Sequence, residues 1–190
     1  MHSSTITPIV SAKERLLASA ARLFHEHGIN ATGIDLVVRN AGVAKASLYN
    51  NFANKEALVV AYLEQELDAW IRNAHILDNP LLPRRERIAA LFEALARLVE
   101  LNTFHGCPFT NAVIELPGCA AIRTVAKHYR VVVRTHLANL IGADTTSTAT
   151  SRLVLLYDGA ITAAKVGHDA ALVREASFMA QEHVDTHTPT

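Results

Sequence analysis

The side chains best suited to reading a nucleic acid sit on one face of a short stretch, Lys45 to Phe52. Its pattern predicts a helix in which Leu48 and Phe52 turn inward and Lys45, Ala46, Tyr49 and Asn50 are left outside. Lys45 can donate to guanine O6 and N7 or to a phosphate, and Asn50 can pair with the adenine edge. Tyr49 can pack on a sugar or give its hydroxyl to a phosphate. Ala46 offers only a methyl, for instance to thymine, but its small size lets a helix approach the groove closely. A bidentate pairing is worth about 1–3 kcal/mol of discrimination. So few readers make a single copy a weak binder. Two copies on a pseudo-palindromic duplex, with half-sites about one helical turn apart, remedy this.

A second group of residues could do thiol chemistry. Cys107 follows Gly106, precedes a predicted helix start at Pro108 and has His105 nearby. A helix N-terminus and an imidazole both lower a thiol pKa, which suits a redox or electrophile sensor. The plainer role is that of a small buried apolar residue. An enzyme using Cys107 with His105 or His128 would also need an oxyanion motif or an ordered Cys-His-Asn/Asp set, and the chain offers neither. The ten histidines are scattered. His25, His27, His105, Cys107 and Cys119 show no spacing that closes a four-coordinate site, so no metal, no cofactor and no catalytic residue is expected.

The elements around Lys45–Phe52 must hold it at the surface. Thr32 reads as the N-cap of a helix over about Gly33–Asn40, with Asp35 three residues later close to a capping box. Ala41-Gly42 stops that helix, because Gly42 can take the left-handed conformation of a helix exit. Asn54 caps a third helix, with Glu56 in its first turn, where the dipole favours an acid. Two helices joined by a short glycine-containing turn form a helix-turn-helix, whose second helix enters the major groove. Upstream, Ser11-Ala-Lys-Glu14 is a capping box opening a helix to about His27.

Ile34, Ala41-Gly42-Val43, Ser47-Leu48-Tyr49, Phe52 and Lys55-Glu56-Ala57-Leu58 together resemble the DNA-binding signature of the TetR/AcrR family of bacterial transcriptional regulators. Ala44 stands where the family often has Ser, Ala46 where it often has Gly, and Asn50-Asn51 replace a frequent aromatic or His pair. These departures bear on the operator sequence. The resemblance implies that Thr32, Ser47, Asn51 and Lys55 touch phosphates, Thr32 from a helix N-terminus. A shorter run, Gly106-Cys107-Pro108-Phe109 with Asn111-Ala112 and Glu115, resembles a Gly-Cys-x-x-x-Asn-Ala-x-x-Glu pattern found in one group of TetR-family bodies.

Composition sets the frame. The chain has 190 residues, half of them apolar, with 18 basic and 18 acidic side chains. A neutral balance argues against a non-specific nucleic-acid binder. Residues 1–58 hold six cations (Lys13, Arg15, Arg22, Arg39, Lys45, Lys55) against four acids (Glu14, Glu26, Asp35, Glu56), a small positive surplus. No long uncharged apolar run suggests a membrane span, the N-terminus lacks a signal-peptide pattern, and two cysteines suit a reducing compartment. A cytoplasmic protein is the expectation.

Helical spacing continues to the end. Helices are predicted from Asn54 to about Leu77, Pro83 to Leu101, Pro108 to Leu116, Cys119 to Ile141, Thr148 to His168 and Asp169 to Val184. The Arg84-Arg85-Arg87 cluster reads as a solvated helix end. The expected architecture is all-α, about nine helices: a flexible arm (1–10), a helix-turn-helix DNA-binding domain (11–56), a helical-bundle ligand-binding and dimerisation domain (57–185) and a disordered tail (186–190). The family resemblance implies a cavity under the Pro108 segment. Trp70, Phe92, Phe109, Tyr129 and Tyr157 are the large side chains that could line it, with Cys107, Asn111 and His128 beside them. Apolar walls with few polar groups suit an apolar or aromatic small molecule. The last two helices are apolar over more than one face, which signals burial on two sides. The resemblance makes them a four-helix dimer interface through Leu153, Leu156, Ala160, Ala163, Leu172, Ala176, Met179 and His183. The expected function is a homodimeric repressor released from double-stranded DNA by a small-molecule effector, with thiol sensing at Cys107 as an alternative.

Overall fold

A computed structural model of the chain describes residues 11–185. The arm expected over 1–10 and the tail expected over 186–190 lie outside the described residues. Among the described residues there are nine α-helices and no strand. No helix among them is long and apolar enough to cross a membrane.

The N-terminal helices form a small unit. α1 (Ala12–His27) starts where the Ser11 hydroxyl accepts from the Glu14 N–H at 3.2 Å and the Glu14 carboxylate accepts from the Ser11 N–H at 2.8 Å. Its apolar stripe, Leu16, Ala20, Leu23 and Phe24, is buried against α2 (Ile34–Ala41) and α3 (Lys45–Asn51). Ile29, Val37, Leu48 and Phe52 complete that core. Burying one such side chain stabilises by about 1.5–3 kcal/mol. Polar side chains of α1 fix the turn itself. The Arg15 guanidinium donates to the Ala41 carbonyl at 2.6 and 3.0 Å, and the Ser19 hydroxyl donates to the Val37 carbonyl at 2.9 Å. Between α2 and α3, Gly42 turns left-handed at φ +61°, the conformation glycine adopts without cost.

Thr32 does not cap α2. Gly33 occupies the N-cap position, with no side-chain bond to the helix. Thr32 is fully covered, and its hydroxyl turns back to the carbonyls of Gly28 at 2.7 Å and Leu23 at 3.2 Å. The hydroxyl satisfies the exit of α1 instead of the entry of α2.

α4 (Lys55–Leu77) is capped by the Asn54 side chain, which accepts from the Ala57 N–H at 2.8 Å. Its 23 residues span ~35 Å at 1.5 Å per residue. Its first half packs into the head, where Phe24 and Tyr62 meet edge to face at 5.3 Å. Its second half packs on α7 (Ala120–Ile141), where Trp70 meets Tyr129 at 5.9 Å. α5 (Arg84–Glu100), α8 (Thr148–Gly167) and α9 (Ala170–Asp185) complete the bundle, with α9 laid against both α5 and α8. Charged clamps tie the helices: Arg174 of α9 to Glu93 and Glu100 of α5, and Arg130 of α7 to Asp158 of α8. The arginines at the start of α5 are not a solvated end. Arg87 is largely covered and paired with Asp78, Arg85 donates to Gln181 at 3.1 Å, and Arg84 lies over Gly142.

Candidate functional site

α3 carries the outward surface expected of a reading helix. Leu48 and Phe52 are buried, while Lys45, Ala46, Tyr49, Asn50 and Asn51 are exposed and Ser47 and Lys55 are half-covered. Two of these side chains already have partners. The Lys45 ammonium pairs with the Asp35 carboxylate of α2 at 2.7 Å, and that bond holds the Asp35 carboxyl below the usual range and raises the Lys45 ammonium. The Asn51 amide donates to the Ser47 carbonyl at 2.7 Å. Thr32 stands apart from this surface: its buried hydroxyl cannot reach a phosphate, which corrects the role expected for it.

A joint connects this head to the body. α6 (Pro108–Glu115) ends against the loop that follows α1. The Asn30 N–H donates to the Glu115 carboxylate at 2.7 Å, and the Asn30 amide donates to the Glu115 carbonyl at 3.0 Å. A Cβ on Gly28 would stand 3.2 Å from the same carboxylate, so glycine leaves room for the joint. Beside it, the Cys119 thiol lies 3.5 Å from the Glu56 carboxylate. The sequence pattern around Gly106 contained Glu115, but nothing in the spacing paired it with Asn30.

The other end of α6 meets a cavity of about 280 Å³. Its walls come from α4, α5, α7, α8 and the loop before α6, and include Trp70, Leu91, Leu95, Phe104, Cys107, Phe109, Tyr129, Tyr157 and Ile161. Phe109 stacks flat on Tyr129 with ring centres 3.9 Å apart, and the Trp70 N–H donates to the Tyr157 hydroxyl at 3.3 Å. Burial pushes the Tyr157 phenol up to about 12 and raises Tyr129 as well. Both phenols are therefore neutral at ordinary pH.

Three residues expected on this wall are elsewhere. Phe92 is fully buried behind Tyr157, meeting it edge to face at 5.8 Å. The Asn111 amide donates to the His105 carbonyl at 3.2 Å, closing the turn at Gly106. His128 is on the solvent side of α7. In their place the cavity shows His25, Glu66, Asn73 and His105. His25 belongs to α1 of the head. It lies parallel to His105 at 6.2 Å, and its Nε2 is 3.7 Å from the Glu66 carboxylate. Burial, then the facing His105, lowers the His25 imidazole, and burial raises the Glu66 carboxyl. Helical periodicity treats such residues as surface, so their only early signal was their place one turn from apolar neighbours.

On α8, Leu153 and Ala160 do not present the outward surface expected of them. Both are buried in the chain's own core. Leu172 and Met179 are about half exposed, Leu156, Ala163, Ala176 and His183 are partly covered, and the His183 ring meets the Ala149 carbonyl at 3.0 Å. The outward apolar surface of these helices also includes Leu155, Val166 and Phe178, and Gly159 lies beside them with open space around it.

Comparison with known proteins follows the same division. Residues 16–62 match the family model of bacterial regulatory proteins of the tetR family. The HTH-type transcriptional repressor KstR2 of Mycolicibacterium smegmatis is 33% identical over 102 residues, covering 53% of this chain and 49% of KstR2. The HTH-type transcriptional regulator RutR of Escherichia coli K12 is 39% identical over 94 residues, covering 49% of this chain and 42% of RutR. The chain thus spans about half the length of the curated relatives it matches. A solved TetR-family transcriptional regulator from Streptomyces coelicolor superposes with a TM-score of 0.79 at 29% identity, covering 91% of this chain and 93% of that one. Reduced NemR from E. coli shares the fold, with a TM-score of 0.78 at 22% identity over 90% of this chain and 96% of that one.

Proposed function

We propose that this chain, which belongs to the TetR family of bacterial transcriptional regulators, is a homodimeric repressor that leaves its operator when a small molecule fills the cavity. One observation carries the reading. α6 touches the cavity through Cys107, Pro108 and Phe109 at its start and holds Asn30 of the head through Glu115 at its end. A molecule that displaces Phe109 moves α6, and α6 moves the loop that carries α2 and α3. The effector then acts by preferring one of two arrangements, and DNA by preferring the other. In this reading residues 11–56 bind DNA, and residues 57–185 bind the effector and pair two copies through the exposed faces of α8 and α9. Lys45, Ala46, Tyr49 and Asn50 face the bases, while Ser47, Asn51 and Lys55 hold phosphates. Two heads set one DNA turn apart, about 34–36 Å, fit two half-sites of a pseudo-palindrome. Such a regulator works in the cytoplasm, where bacterial DNA is.

The test is a fluorescence-anisotropy titration with DNA flanking the protein's own reading frame, at several salt concentrations. A specific rise in anisotropy with one fragment, bound by a dimer, is expected. Equal binding to every fragment by a folded dimer would sink the reading.

Cys107 favours a second reading, because its buried thiol stands on the cavity wall. An electrophile small enough to enter would meet it there, and alkylation would move α6 directly. Release of DNA by such a reagent should then vanish in Cys107→Ser. An unchanged response retires thiol sensing.

A further inference from the structure

We infer that the cavity selects a lipophilic cation, an amine carried on an aromatic or alkyl body, with its ammonium held by Glu66 against the head. The inference rests on the reading of the cavity as the effector site. Among the residues that line it, Glu66 is the only acid, and no lysine or arginine is present. Its one basic partner among the described residues is His25, at 3.7 Å, beyond hydrogen-bond length. The carboxylate is only about a quarter exposed. It therefore lacks a permanent counter-charge, and a largely covered carboxylate without one is costly.

The His25 imidazole does not supply the missing charge. His25 is kept neutral by burial and by the facing His105. A carboxylate or phosphate entering here would meet Glu66 and no lysine or arginine, and would lose its water with no permanent cation to receive it. An ammonium meets the opposite: a carboxylate that accepts its hydrogens, with Trp70 one turn further along the same helix.

The shape of the wall sets the body of the ligand. Glu66, Trp70, Asn73 and Leu77 follow one face of α4. Glu66 lies about 6 Å nearer the head than Trp70, at 1.5 Å per residue. The charged end is thus placed beside α1, and the apolar end runs past Trp70 toward Leu91 and Leu95. An amphiphilic ligand of this kind touches the head itself through the Glu66–His25 pair, and not only through α6.

The test uses three probes with one body: 4-phenylbutylamine, 4-phenylbutanol and 4-phenylbutanoate. Trp70 is the chain's single tryptophan and stands on the wall, so its emission reports binding in the full-length wild-type protein. At neutral pH the amine should bind at least tenfold more tightly than the alcohol, and the carboxylate most weakly. In Glu66→Gln the amine should fall to the alcohol's affinity, with the alcohol unchanged. The wild-type ranking needs no variant, so misfolding of Glu66→Gln does not shield the proposal. Alcohol and amine bound alike, or the carboxylate bound best, overturns the cation proposal and leaves the effector site standing. No change in Trp70 emission with any of the three overturns both.

Discussion

Glu115 and Asn30, 85 residues apart in sequence, are joined twice, once through the Glu115 carboxylate at 2.7 Å and once through its backbone carbonyl at 3.0 Å. The first bond is charge-assisted, a class worth about 1.5–3 kcal/mol when water is excluded and less at a rim such as this. Glu115→Ala should therefore speed amide hydrogen exchange at Asn30 by about tenfold, the equivalent of 1.4 kcal/mol. Exchange at Leu16 and Leu23, inside the head core, should stay as it was. Equal acceleration across α1 would mean that the head itself had loosened and that the joint is not local.

The Lys45–Asp35 pair makes a prediction about DNA. Asp35 occupies the ammonium that the proposed function sets against the duplex. Asp35→Asn should tighten binding and steepen the salt dependence by about one phosphate contact, a slope change near 0.9. Lys45→Ala should do the reverse. If Lys45 reads a base, its loss also relaxes preference at one position by about 1–3 kcal/mol. Anisotropy titrations across salt concentrations, on cognate and altered fragments, separate these outcomes.

Gly42 sits at φ +61°, and a Cβ there would come within 2.8 Å of the Arg15 guanidinium. Gly42→Ala pays for the left-handed backbone, about 1–2 kcal/mol, and also disturbs the Arg15 bonds to Ala41. Urea unfolding should show that loss as a lower midpoint with an unchanged slope.

Acid should weaken the fold before its carboxylates titrate. Burial holds the imidazoles of His136 and His25 below their ordinary 6.5. Around His136 stand His75 and Arg87, which add to that effect, and Asp78, which opposes it. The unfolded chain then binds more protons than the folded one just below 6.5. Stability is complete above that value and falls as pH drops through it toward the lower folded values. Glu66 has the opposite sign, since burial raises it above 4.5 and protonation favours the folded form. Urea midpoints between about pH 7.5 and 5.5 isolate the histidines. His136→Phe, which keeps a ring and removes the proton, should flatten that fall.

Two residues on neighbouring faces of the last helices should behave differently. Phe178 is exposed on α9 and Leu153 is buried in α8. Phe178→Glu should shift the chain from dimer to monomer in sedimentation with its thermal unfolding still cooperative. Leu153→Ala should cost about 2–5 kcal/mol of stability through the cavity it leaves. Dimer dissociation caused by Leu153→Ala alone, without loss of stability, would reverse the assignment of these faces.

The helices were legible because apolar residues recur at helical spacing and because Ser11, Gly42 and Asn54 mark their ends. What periodicity could not say is which partner each face meets. α8 is apolar on two sides, and only packing shows that Leu153 and Ala160 turn inward while Leu155 and Val166 turn outward. Thr32 has the type of a cap, but the carbonyls of Leu23 and Gly28 lie within its reach and win the hydroxyl. His25 and Glu66 stand on two helices 41 residues apart in sequence, and no spacing pairs them. They become one site only where α1 crosses α4.

The eight residues of α6 separate two jobs by about 12 Å of helix. If the cavity is the effector site, the chemistry that chooses a ligand is written in its wall, and the contact that would report it is written at Asn30 and Glu115. Descendants of this sequence can therefore change what they sense by exchanging wall residues while inheriting the same output. On the proposed function an engineer can do likewise, redrawing the wall around Trp70 and Glu66 and leaving the surface of α3 as it is.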